Sequence, residues 1–173
     1  LGDVYKRQML SCTAKQKRGI TMLIEQHLES VKLRFKWRRL ISAAVKDARA
    51  EMLAKKENGA GHAKYKKTDP TGDTAVKNIS GIKSVRILPR RGGTPVYIQE
   101  PEKWLAVIDT VFSEYEEKSP FVAQAMHMLY DKHINADGVA GLMGVSRQAF
   151  YLKQQRFLID AAFLAQEYGL LKK

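Results

Sequence analysis

A short segment near the C-terminus carries side chains whose types and spacing suit the reading of DNA bases. Arginine bonds guanine, and glutamine bonds adenine, through paired hydrogen bonds in the major groove. A serine at the start of a helix, together with the helix N-terminus, suits a backbone phosphate. The candidate DNA-contacting residues of this segment are Ser146, Arg147, Gln148, Tyr151, Lys153 and Gln155.

The surrounding residues, 135–156, have the pattern of a helix-turn-helix. Ala140 is small at the point where the two helices would approach closest, and Gly144 stands in the turn, where a positive φ is needed. Ser146 suits the N-cap of the second helix, whose first residues face base edges in this motif. Apolar residues fall where a three-helix core needs them, at Val139, Met143, Val145 and Phe150.

Two residues depart from this pattern. Lys153 stands where such motifs often have an apolar residue, so we expect Leu152 to take the packing role. Gly138 weakens the first helix by about 1 kcal/mol relative to Ala, so we expect that helix to be short. The second helix is expected to continue through Phe157 and to end at Gly169, with its second half forming a packing or dimer surface.

The charge is high and unevenly distributed. The 173 residues carry a net charge of +12. Residues 1–99 hold 22 Lys and Arg against 8 Asp and Glu, a net of +14, whereas residues 100–173 hold 8 against 10, a net of −2. This excess favours a polyanionic partner such as duplex DNA, with a solvated basic surface as the alternative. The residues expected to hold phosphates are Arg38, Arg39, Arg90 and Arg91.

The basic N-terminal residues are expected to lie on one long helix. Residues 21–57 contain no Gly or Pro, and their apolar residues recur at roughly helical spacing. Such a helix has to bury its apolar stripe on the C-terminal helices, on a second subunit, or on both. The expected stripe is Ile24, Leu28, Val31, Phe35, Leu40, Ala44, Ala48 and Met52.

The predicted fold class is mainly α, with the long N-terminal helix, a C-terminal helix-turn-helix bundle and a small β-hairpin at about 84–99. Two β-rich runs, 84–88 and 95–99, favour the hairpin, with an irregular loop as the alternative. Asp69 and Pro70 predict a short helix before it. The predicted segments are a non-native leader at 1–8, a basic helical extension at 9–61, a basic linker at 62–99 and a DNA-binding domain at 100–173.

Several classes of site are not expected from this sequence. Cys12 is the only cysteine, which rules out an intrachain disulfide and fits a reducing compartment. The six-residue spacing of His127 and His133 does not stack them on one helix face. No Gly-rich phosphate loop and no apolar run of membrane-spanning length is present. We therefore expect no catalytic site, no metal, no cofactor and no membrane partner.

The order of the motifs resembles a family of phage proteins. A long N-terminal helix, an Asp-Pro-Thr segment and a Trp-bearing helix precede Gly-Val-Ser-Arg-Gln-Ala-Phe-Tyr and a terminal helix ending Glu-Tyr-Gly-Leu. Over Trp104 to Leu170 this is similar to phage transcriptional regulators of the RinA and ArpU type. The resemblance implies a domain like the promoter-reading domain of a sigma factor, with DNA contacts from Ser146, Arg147, Gln148 and Tyr151. It also implies action on phage late genes in the cytoplasm of a bacterial host.

Three functions remain open at this point. The first is a sequence-specific activator, either a homodimer through the long N-terminal helix or a monomer beside the host RNA polymerase. The second is a phage small terminase subunit, which would recognise DNA for packaging and assemble as a ring. The third is a non-enzymatic helical interaction module in which the motif only packs.

Overall fold

The computed structural model describes residues 27–58, 81–89 and 93–171, which form six helices and one β-hairpin. The mainly helical fold and the small hairpin expected from the sequence are confirmed. The hairpin is antiparallel, with Ser84 opposite Gln99 and Ile87 opposite Val96. The elements are α1 (27–36), α2 (Arg38–Asn58), β1 (Ser84–Ile87), β2 (Val96–Gln99), α3 (Pro101–Lys118), α4 (Pro120–Tyr130), α5 (Ala136–Leu142) and α6 (Arg147–Glu167).

The N-terminal helical segment is divided at Trp37, so the single long helix is not confirmed. Backbone hydrogen bonds nevertheless cross the turn, from the Trp37 N–H to the Leu33 oxygen (3.0 Å) and from the Ile41 N–H to the Trp37 oxygen (2.9 Å). Outside the described residues lie the predicted leader, most of the linker with its predicted short helix, and the predicted phosphate-binding residues Arg90 and Arg91. The division into segments at 61 and 99 stays a prediction.

The buried stripe of α1 and α2 differs from the predicted one after Phe35. Leu40 and Met52 were expected to be in it, but they are 39 % and 52 % exposed. Because positions three and four apart share a helix face, the stripe passes from Phe35 through Arg38 to Ile41. Because Arg38 is charged, the spacing of apolar residues in the sequence did not indicate that its position belongs to the buried stripe. The buried apolar positions are Val31, Phe35, Ile41 and Val45.

An aromatic cluster joins α1 to the C-terminal helices. The ring of Phe35 lies 5.7 Å from that of Phe112 on α3 and 5.4 Å from that of Tyr130 on α4. It also lies 5.2 Å from Phe157 on α6, nearly edge-on. Tilted and edge-on contacts of this kind stabilise aromatic pairs beyond their buried area. The N-terminal stripe is therefore buried on the C-terminal helices of its own chain.

Ion pairs hold α2 against α3 and the hairpin. Arg38 Nη2 lies 2.7 Å from Asp109 Oδ1, and Arg49 Nη2 lies 2.6 Å from Glu102 Oε1. The second oxygen of Glu102 accepts a hydrogen bond from the Ile82 N–H (3.1 Å), just before β1. One carboxylate of α3 thus fixes both the basic helix and the start of the hairpin.

Arg34 lies close to two indole rings where α1 meets α3. Its guanidinium carbon lies 5.8 Å from the ring centroid of Trp37 and 5.4 Å from that of Trp104. Burial lowers the pKa of Arg34 below its usual range. Stacking on an aromatic face offsets part of the cost of removing such a cation from water.

The two helices before the motif, α3 and α4, each begin at a proline. Pro101 and Pro120 occupy the first helical positions of α3 and α4, where a missing N–H costs nothing. Ser119 is the N-cap residue of α4, although its hydroxyl makes no capping hydrogen bond. Both helices then bury one face in the shared core.

Candidate nucleic-acid interface

The first helix of the motif, α5, has only seven residues, which confirms the prediction of a short helix. The Asn135 side chain caps it by accepting a hydrogen bond from the Gly138 N–H (2.7 Å). A Cβ atom at position 138 would lie 2.9 Å from that same Asn135 oxygen. Gly138 therefore lowers helix propensity but leaves room for the cap that starts the helix.

The turn between α5 and α6 is closed by the backbone around Gly144. Its φ is +63°, as the sequence predicts for this position. The Gly144 N–H donates to the Gly141 oxygen (3.2 Å), and the Val145 N–H donates to the Ala140 oxygen (3.1 Å). These two bonds form the Schellman arrangement that satisfies the last carbonyls of a helix. Ala140 is 3 % exposed, which agrees with a close approach of the two helices.

The start of α6 is fixed by Ser146, the predicted N-cap residue. Its hydroxyl accepts a hydrogen bond from the Ala149 N–H (3.2 Å), and its backbone oxygen accepts one from the Phe150 N–H (3.0 Å). Phe150 and Val139 are fully buried, as expected for the core of the motif. The predicted core residues Met143 and Val145 are only partly buried, at the edge of that core.

The packing role predicted for Leu152 is wrong, because this side chain is 62 % exposed. Gln154 is buried instead, four residues after Phe150 on the same helix face. Its Nε2 donates a hydrogen bond to the Tyr130 hydroxyl oxygen (3.0 Å), so the buried amide has a partner. Burial raises the pKa of Tyr130 to about 12.

The predicted DNA-contacting residues of the motif are all exposed, but they do not share one face. At about 100° per residue, the positions of Arg147, Gln148, Tyr151 and Gln155 fall on one side of α6. Lys153 lies about 200° beyond Tyr151, on the other side of the helix. The structure therefore brings four of these residues together beside Ser146 and leaves Lys153 apart. The exposed Leu152 adjoins the same face, four residues after Gln148.

Arg147, at the first position of α6, is held by a residue that the sequence interpretation missed. Its Nε lies 2.7 Å from Asp137 Oδ1 on α5, and its guanidinium lies 5.8 Å from the Tyr151 ring centroid. A hydrogen bond with Tyr151, and then the charge of Asp137, raise the pKa of Arg147. Opposite charges in the first turns of two adjacent helices were visible in the sequence, but their pairing depends on how the helices cross.

Arg38 and Arg39, the two arginines of the N-terminal helix that were predicted to bind phosphates, differ in their surroundings. Arg38 faces Asp109, lies 3.6 Å from Asp131 and stacks 5.3 Å from the Phe112 ring centroid. Arg39 is exposed beside it. Both line an open groove of about 490 Å³, whose other walls are Ser42, Ala43, Lys46 and Asp131.

His127 belongs to the packing of this region. Its ring stacks on Phe112 at 4.1 Å, its Nδ1 lies 2.6 Å from Asp131 Oδ2, and its Nε2 lies 3.1 Å from Glu116 Oε1. Asp131 therefore bridges His127 and Arg38. Within 27–58, 81–89 and 93–171, no three His, Cys, Asp or Glu side chains are arranged to hold a metal ion.

Comparisons with known proteins identify no relative of this chain. No protein-family model, curated protein or solved structure matches this chain. None of the helices in the described ranges is long and apolar enough to cross a membrane.

Proposed function

We propose that this chain is a sequence-specific, double-stranded DNA-binding transcriptional regulator that inserts the first three turns of α6 into a major groove. The observation that carries the proposal is that Arg147, Gln148, Tyr151 and Gln155 share an exposed side of α6, while Phe150, Gln154 and Phe157 anchor the same helix in the core. An α-helix fits the width of the major groove, and these side chain types match the donor and acceptor pattern of base edges.

The positions at the start of α6 are the ones that this kind of motif uses. The N-terminal residues of the second helix meet base edges, while the first helix crosses the phosphate backbone. Ser146 and the free N–H groups of the helix start would bind a phosphate and fix the register. Leu152, exposed beside Gln148, suits contact with a thymine methyl group.

Phosphate contacts from outside the motif would supply the sequence-independent part of the affinity. Residues 100–173 have a net charge of −2, so the motif has little bulk attraction for DNA of its own. Arg39 and Lys46, on the groove beside α2, are the basic side chains of the described chain that we assign to this role. The proposed setting, a phage late-gene activator acting beside a host RNA polymerase, rests on the resemblance over Trp104 to Leu170.

A homodimer through the N-terminal helix would have to use apolar side chains outside the buried stripe. Val31, Phe35, Ile41 and Val45 are buried in their own chain. Met52 and Leu53, which are 52 % and 57 % exposed, are the apolar side chains of α2 that a second copy could cover.

The direct test is selection of a binding site from random duplexes, followed by binding of the enriched duplex at two salt concentrations. The proposal expects a recurrent motif bound at least about a thousand-fold more tightly than a scrambled duplex. Tight, salt-sensitive binding without sequence preference, together with a ring of eight or more copies in solution, would instead indicate a packaging protein.

A matched pair of arginine variants tests the assignment of the face. Arg147→Ala should weaken binding to the enriched duplex by about 1–3 kcal/mol and relax the choice of one base pair. Arg156→Ala, on the same helix about 180° from Arg147, removes the same charge and should leave that choice intact. If the two variants lose specificity equally, α6 does not read DNA with the proposed face.

A further inference from the structure

We infer that Asp137 positions Arg147 for base recognition and so determines specificity without contacting a base itself. The inference rests on the proposed function. The Arg147 Nε lies 2.7 Å from Asp137 Oδ1, while the Tyr151 ring lies 5.8 Å from the guanidinium carbon. The guanidinium is therefore held at one edge and over one face, although its side chain is 67 % exposed.

The edge that Asp137 engages is the one that guanine recognition can spare. A guanidinium carries five N–H donors in a rigid plane, one of them on Nε. Because Asp137 engages Nε, we assign the outer Nη1–Nη2 edge to the base. That edge offers two parallel N–H groups, which match the O6 and N7 acceptors of guanine.

The backbone position of Asp137 is set by the start of α5. Asp137 is the second residue of that helix, directly before the Gly138 N–H that donates to the Asn135 cap. A carboxylate in the first turn also interacts favourably with the helix dipole. Since Arg147 is the first residue of α6, the geometry of the pair is set by the turn at Gly144.

Two physical effects of Asp137 act in the same direction. An arginine ordered before binding loses less side-chain entropy at the matched base pair than a free one. The Asp137 carboxylate also competes with DNA phosphates for the Arg147 guanidinium, which lowers non-specific affinity. Together these effects raise the ratio of specific to non-specific affinity, where an unrestrained arginine would bind phosphates and bases indiscriminately.

The test compares binding of the full chain to the enriched duplex and to a scrambled duplex of the same length. Asp137→Ala should lower the affinity ratio by about three- to tenfold, the factor expected when one more side chain has to be ordered on binding. In an Arg147→Ala background, Asp137→Ala should cause no further change in base preference. Glu114→Ala, which removes an exposed carboxylate paired with Lys118 on α3, should leave the ratio unchanged.

Each outcome bears on the inference separately. Equal tightening on both duplexes would show that Asp137 only competes for Arg147, and an effect that persists without Arg147 would show that Asp137 meets a base. Either result overturns the inference. If Asp137→Ala loses helical circular dichroism, Asp137→Asn replaces it, because the amide keeps an acceptor oxygen and should retain part of the ratio. A wild-type chain without any preferred duplex would overturn the proposed function instead.

Discussion

The arginines of the N-terminal helices and the arginine at the start of α6 are used in different ways. In α1 and α2, Arg34 lies close to two tryptophans, while Arg38 and Arg49 face carboxylates of α3. These side chains hold two parts of the chain together. Arg147, by contrast, pairs with Asp137 inside its own motif and joins no distant part of the chain.

The difference shows how net charge overstates the capacity to bind phosphate. Residues 1–99 have a net charge of +14, but part of that charge is neutralised by Glu102 and Asp109 on the acidic face of α3. The slightly acidic C-terminal part is thus complementary to the basic N-terminal part of the same chain. Variants in the two regions test this division of roles, and the largest effect is expected at the contact that joins them.

The largest effect is expected from Phe35→Ala. Phe35 is 1 % exposed and contacts aromatic rings of α3, α4 and α6, so its truncation should cost about 3–5 kcal/mol of unfolding free energy. Urea unfolding followed by circular dichroism measures this loss. Leu40→Ala, on the neighbouring exposed position, should cost less than about 1 kcal/mol. Equal losses for the two variants would mean that the N-terminal helix is not part of the core.

The second effect concerns the buried polar pair beneath α6. Tyr130→Phe leaves the Gln154 amide without its buried acceptor and should cost about 1–3 kcal/mol. Adding Gln154→Leu removes the unpaired amide, and most of the stability should return in urea unfolding. If the double variant is as unstable as the single one, the hydrogen bond is not the source of the loss.

The same tyrosine predicts a dependence of stability on alkaline pH. Because the pKa of Tyr130 is raised to about 12, the folded state binds its proton more tightly than the unfolded state does. The stability that the protonated Tyr130 hydroxyl contributes is fully present below pH 10, the ordinary tyrosine pKa. It is lost as the pH rises through about 12. Tyr130→Phe should therefore unfold with a shallower loss of stability over this range. Tyr115 has its pKa raised too, by burial and by Asp160, and remains in both proteins.

The third effect compares Gly144, whose backbone conformation favours glycine, with the nearby Gly141, whose conformation does not. Gly144 has a φ of +63°, so Gly144→Ala should cost about 1–2 kcal/mol through left-handed strain. Gly141 lies inside α5 with open space around it, so Gly141→Ala should stabilise the chain by about 0.5–1 kcal/mol. Thermal unfolding of the two variants checks the sign. A gain from Gly144→Ala would contradict the turn that sets the pair of motif helices.

The local features of the motif were predictable from the sequence because they depend on neighbouring residues. The Ser146 cap, the positive φ of Gly144 and the short α5 all follow from residue types within a few positions. The hairpin followed from two β-rich runs in the same way. Each of these features obeys backbone preferences that act over one or two turns.

The long-range features were not predictable, for two physical reasons. Arg38 and Gln154 are polar but lie on the buried faces of their helices. Arg38 stacks on the Phe112 ring, and Gln154 donates a hydrogen bond to the Tyr130 hydroxyl oxygen. The spacing of apolar residues in the sequence therefore does not identify either position as buried. The Asp137 partner of Arg147 depends on the crossing of α5 and α6, which no local rule gives.

The smallest effect compares the two adjacent arginines of the α2 groove. Arg39 is exposed, so Arg39→Gln should lower the slope of log affinity against log salt by about one without changing urea stability. Arg38 is engaged by Asp109 and Asp131, so Arg38→Gln should leave the slope unchanged and lower stability by less than about 1 kcal/mol. Both variants remove one charge from neighbouring positions, so bulk electrostatics cannot separate them. Equal changes in slope would show that Arg38 leaves Asp109 and Asp131 when DNA binds. The distinction between arginines that pair within the chain and arginines that contact phosphate would then be wrong.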